Sequence, residues 1–163
     1  MTKSATAVQV NSQVPLVASV VAAEGGSGED GDVTYSTAAP SLSSPASVAM
    51  VPSSKVDASL QLTAPTKDAQ VDVRALGSGV SAPKRVKIGA GKTAPVKLRA
   101  PSGSSTYGVL VTPRDGSGPV YGSRLMTAKP GEGPLLTTLP LVPGARQVSL
   151  PPVVPEVGAG VPR

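Results

Sequence analysis

Four stretches of the chain carry residue types that could do chemistry. GAGKT, at 89–93, has the glycines and the lysine of a phosphate-binding loop. GEDGD, at 28–32, clusters the carboxylates Glu29, Asp30 and Asp32, as a calcium loop does. The interval PKRVKIGAGKTAPVKLR, at 83–99, holds Lys84, Arg85, Lys87, Lys92, Lys97 and Arg99 and no acid. Serine-rich runs supply hydroxyls that a neighbouring base would have to activate. What the chain lacks restricts all four. It has no His and no Cys among 163 residues, so no side chain titrates near neutrality at its ordinary pKa. The usual ligands of structural zinc and haem are missing with them. An enzyme would be left with Ser/Lys or carboxylate chemistry. The expectation is a protein that is not an enzyme and holds no cofactor and no metal.

Each stretch has a plainer reading. A phosphate loop needs a further Gly where Val86 stands, and a helix after the lysine to turn backbone N–H groups on the phosphate. Here Pro95 follows Thr93 by two residues and the flanks alternate apolar with charged, so GAGKT reads as a turn between strands. A calcium loop needs about six to eight oxygens at defined spacing; GEDGD is short and glycine-rich and reads as a solvated loop. In the basic interval, alternation turns Val86, Ile88, Val96 and Leu98 inward. It puts Arg85, Lys87, Lys97 and Arg99 together on the outer face of one hairpin. That stripe would attract an anionic cell-wall polymer or a membrane surface. Charge on an outer face is also ordinary protection against sheet-to-sheet pairing. Nucleic-acid readers add stacking aromatics. With no Trp, no Phe and three Tyr, nucleic acid is a poor fit, and Tyr107 and Tyr121 are expected to pack within the sheet.

The elements that must position these residues are strands. In 46–127 no long interval is free of Gly and Pro, and the apolar residues alternate. Leu60 and Leu62 share a face, as do Val71, Val73 and Ala75 opposite Asp72 and Arg74, and Tyr107, Val109 and Val111. Turn chemistry separates the runs: APTKDA, GSG, GAG, PSGSS and PRDGSG. Period-two runs at this spacing predict an all-β fold, an antiparallel immunoglobulin-like β-sandwich over 46–128. Blade-like sheets of a β-propeller are the alternative. Residues 1–45 read as part of a preceding β-module with an acidic, Gly-rich loop, and 129–163 as an extended Pro-rich segment. The apolar residues are mostly Val, Ala and Leu, so the core should be thin. The net charge of +5 is concentrated: nine of the fifteen Lys and Arg lie in 55–99, against three acids. No apolar run approaches the ~20 residues of a membrane-spanning helix.

VPLVASVVAA, at 14–23, resembles the apolar part of an export signal, with Lys3 upstream and Glu24 downstream. It also has a counterpart far along the chain. Residues 8–22 and 109–128 each show V-x-V, a loop, and Pro-[Leu/Val]-x-x-Ser; Pro15 and Ser19 match Pro119 and Ser123 at one offset. STAAP (36–40) then matches TTLP (137–140), and SVAMVP (47–52) matches QVSLPP (147–152). A repeat of roughly one domain length favours a strand, with Pro15 at its start. On this reading the first copy is incomplete and an export segment precedes Met1.

The pattern VDASLQL, QVDVRAL, KRVKIGAGKTAPVKL, STYGVLV and GPVYGSRL resembles a family of uncharacterised secreted proteins of high-GC actinobacteria, built from tandem β-modules and without assigned activity. The resemblance covers most of 8–155 and carries over no catalytic residue. It implies an extracellular or cell-envelope location, a non-enzymatic structural or interaction role, and envelope proteins or anionic wall polymer as partners.

Overall fold

A computed structural model describes residues 7–24, 31–79, 81–131 and 133–144. These form ten strands and no helix: β1 (Ser19–Glu24), β2 (Asp32–Thr37), β3 (Ala46–Pro52), β4 (Asp57–Ala64), β5 (Ala69–Leu76), β6 (Lys84–Ile88), β7 (Lys92–Lys97), β8 (Thr106–Pro113), β9 (Tyr121–Ala128) and β10 (Leu135–Pro140). With no helix, none is long and apolar enough to cross a membrane. Two antiparallel four-stranded sheets, ordered β10-β9-β4-β7 and β3-β8-β5-β6, enclose one core, and β1 pairs with β2 as a separate hairpin.

The alternation read from the sequence is what closes the sandwich. Ala58, Leu60, Leu62 and Ala64 of β4 are buried, as are Ala69, Val71 and Val73 of β5, and Tyr107, Val109 and Val111 of β8. β6 adds Val86 and Ile88, and β7 adds Val96. The largest fully buried side chains are Leu, Ile and Val. Each removes less area from water than an aromatic ring, at about 25 cal/mol per Å². Leu42 and Leu141 close the core outside the strands. Leu42 donates its N–H to the Val120 carbonyl (2.8 Å) and Leu141 to the Gly122 carbonyl (2.8 Å).

The architecture is an antiparallel β-sandwich. Two of its pairs, β4–β7 and β5–β8, have counterparts in the B–E and C–F pairs of an immunoglobulin sandwich. Two other strands are placed differently: β3 lies beside β8 and β9 beside β4, whereas strands A and B share a sheet, and F and G the other, in the immunoglobulin arrangement.

Three elements differ from the sequence reading. The basic interval is not a hairpin: β6 pairs with β5 in one sheet and β7 with β4 in the other. The GAG turn is an arch that carries the chain between sheets. Gly91 adopts φ 68° there and donates its N–H to the Ala64 carbonyl (2.7 Å), while the Ala90 N–H donates to Asp68 Oδ1 (2.8 Å). Next, the Pro-rich segment after residue 128 contributes β10, which pairs with β9 from Leu135↔Ala128 to Pro140↔Ser123; residues 145–163 lie outside the described ones. Finally, the first strand begins at Ser19 rather than at Pro15, and Val8 and Val10 are in no strand.

The β1–β2 hairpin meets the sandwich at the outer edge of β10. An edge strand leaves every second N–H unpaired. Here side chains of β2 accept two of them: Leu136 N–H donates to Asp32 Oδ2 (2.7 Å) and Thr138 N–H to Thr34 Oγ1 (3.2 Å). Thr34 is the one buried polar side chain among the described residues.

Candidate anion-binding face

The outer face of the β5 sheet is built by register. Because Val71 and Val73 point inward, Gln70, Asp72 and Arg74 point out. Pairing sets Arg85 beside Asp72 and Lys87 beside Gln70, and Thr112 and Leu110 of β8 beside Asp72 and Arg74. The turn after β8 brings in Arg114. Its N–H donates to the Gln70 carbonyl (3.0 Å), and Gln70 N–H donates to Ser117 Oγ (2.8 Å). Four cations, Arg74, Arg85, Lys87 and Arg114, thus share one face around a single carboxylate.

That carboxylate is taken. Arg114 Nη1 donates to Asp72 Oδ2 (2.8 Å) and Arg85 Nε to Oδ1 (3.4 Å). The hydrogen bond from Arg114 is the largest influence on the Asp72 carboxyl and lowers its pKa; desolvation opposes it, and the Arg85 hydrogen bond with the charge of both arginines keeps the net shift downward. Since the folded value is depressed, this pairing contributes to stability above the ordinary Asp range and is lost as pH falls through the depressed value. Neither Arg74 nor Lys87 forms an ion pair among the described residues. A shallow groove at the end of this face is lined by Lys67, Asp68, Gln70, Lys87, Arg114 and Asp115.

The six basic residues picked out from the sequence do not form one stripe. Arg85 and Lys87 lie on the outer face of the β5 sheet. Lys97, opposite Ser59 of β4, lies on the outer face of the other sheet, where it meets Asp57 at 3.2 Å. Arg99 follows β7 and is exposed; Lys84 and Lys92 sit at strand starts opposite Val73 and Ala64. The arch separates them, since consecutive strands in different sheets turn their outer residues in opposite directions. The residues missed were Arg74 and Arg114. The alternation of QVDVRAL already turned Arg74 outward; only the β5–β6 pairing shows that it faces the same way as Lys87.

The other stretches have structural roles here. Asp32 of GEDGD accepts from Leu136 and from its neighbour Val33 (2.9 Å); the rest of that loop's acids lie outside the described residues. Tyr107 is buried, and burial pushes its phenol above the usual tyrosine range. Tyr121 is half-buried in β9, and Tyr35, on the β1–β2 hairpin, is 68% exposed.

A family model described as a family of unknown function (DUF5719) matches residues 1–126. The chain belongs to DUF5719. The matched span covers β1 to β8 and most of β9 of this DUF5719 chain. No curated protein sequence matches it significantly. Among solved structures, Thermotoga maritima 1070 is similar with a TM-score of 0.50 at 13% identity, over 62% of this chain and 94% of that one. At that identity the likeness is one of fold.

Proposed function

We propose that this DUF5719 chain is a non-enzymatic structural or interaction module of the bacterial cell envelope. The observation that carries the reading is the β1–β2 hairpin. Val21, Val33 and Tyr35, which the register puts on one face, are 56%, 52% and 68% exposed, on an element that contributes no residue to the core. Contiguous exposed apolar surface of this kind marks interaction sites. The non-enzymatic part draws on the residue inventory and on the exposure of every described lysine, since Ser/Lys catalysis needs a desolvated amine. The location draws on the resemblance to secreted actinobacterial proteins. Fractionation of the native host, probed with antibody against the chain, should place it in the envelope or medium; recovery from the cytosol alone would overturn the reading.

The grouping of Arg74, Arg85, Lys87 and Arg114 favours a second reading, binding of anionic wall polymer at the outer face of the β5 sheet. Co-sedimentation with purified cell walls should then weaken steeply with salt. It should be lost with Arg74→Glu plus Lys87→Glu and kept with Lys97→Glu, which lies on the opposite sheet. Equal losses in both variants would show that net charge, not this face, governs binding.

A further inference from the structure

The two hairpins of the chain correspond in pattern and in ladder length. Pro15 and Ser19 match Pro119 and Ser123, and the ladders coincide. β1–β2 runs six pairs from Ser19↔Thr37 to Glu24↔Asp32, and β9–β10 runs six from Ser123↔Pro140 to Ala128↔Leu135. Their surroundings differ. The free side of β9 pairs with β4, from Asp57↔Thr127 to Thr63↔Tyr121; the corresponding side of β1 has no partner among the described residues. Val120 is fully buried, Gly122 lies against Leu62 and Leu141, and Met126 packs on the core. At the same offset their counterparts are Leu16, 51% exposed, Ala18, half-buried, and Ala22, exposed. The edge of β1 also lacks the charges that usually guard such a strand: Ser19, Val20, Val21, Ala22 and Ala23 come before Glu24.

We propose that β1–β2 is a joining hairpin that completes another β-sandwich module of the same kind. Its occupant is the β3-to-β8 portion of such a module, presented without its own last hairpin. β1 adds to that module's β4-type strand by main-chain pairing, and Leu16, Ala18 and Ala22 enter its interior where Val120, Gly122 and Met126 enter this one. The hold of Asp32 and Thr34 on β10 then fixes one module against the next. The same operation sets a following module against Leu135 and Leu139 of β10, which are 52% and 49% exposed. The proposal rests on the interaction-module reading but is tested apart from it, since a cytosolic location would sink that reading and leave the outcome below unaffected.

The test adds a second copy of residues 41–113, carrying β3 to β8, directly ahead of Met1 of the full chain. Limited proteolysis with mass spectrometry should yield a resistant product spanning both copies. A resistant product no larger than the parent chain overturns the proposal, the intact parent serving as the control for folding. Leu16→Asp should cut the fusion back to the parent-sized product while leaving the parent chain's melting temperature unchanged. A fusion that stays fully resistant with Leu16→Asp would overturn the assigned contact.

Discussion

Gly118 shows how closely the loops of this sandwich approach one another. A Cβ built there lies 2.6 Å from the Lys67 carbonyl oxygen and 2.9 Å from that of Asp68, to which the Gly118 N–H donates at 3.0 Å. Backbone cannot step aside as a side-chain tip can. Gly118→Ala is therefore expected to cost about 1–3 kcal/mol, seen as a lower melting temperature by circular dichroism. Gly79→Ala, with nothing within 4 Å of its Cβ, should melt like the parent. If both shift alike, the close approach is not the cause. From sequence, PRDGSG was legible as a turn because Pro, Asp and Gly suit one locally. What the turn touches was not legible. The approach to Lys67 and Asp68, and the reach of Arg114 to Asp72, are set by which strands pair, and no local signal encodes that. The outward direction of Asp72 and Arg74 was legible, because a two-residue period fixes it whatever the partner.

At the scale of elements, β2 and β10 are joined by side chains instead of a backbone ladder. Asp32→Ala leaves the Leu136 N–H without its acceptor, at a cost of about 1–3 kcal/mol for a donor left unpaired. Hydrogen exchange at Leu136 should quicken, while exchange in β4 and β5 stays as it was. Unchanged exchange at Leu136 would mean that the hairpin is held by something else. The strands of the interior were legible from alternation. The arch was not, because a glycine with positive φ serves a two-strand hairpin and a crossing between sheets equally well. Only the partners of β6 and β7 distinguish the two. β10 was hidden by its prolines. Pro134 precedes the strand and Pro140 ends it, and LLTTL between them carries no clear alternation.

For the whole molecule, every buried apolar side chain among the described residues lies from Leu42 to Leu141. A fragment of residues 38–163 is thus expected to keep a single cooperative melt, lowered by no more than the side-chain bonds to β10 contribute, about 1–3 kcal/mol. A broad, non-cooperative melt would show that the hairpin belongs to the folding unit. The exposed strand edges add a contrast between the flanks. β6 carries Lys84, Arg85 and Lys87; β7 carries Lys92, Lys97 and Pro95, whose missing N–H cannot extend a ladder. That flank repels an approaching sheet, whereas the uncharged run of β1 does not. Strand addition is thus opposed at the β6 and β7 edges and left open at β1, so units of this kind would join hairpin to sandwich in preference to meeting along that charged flank.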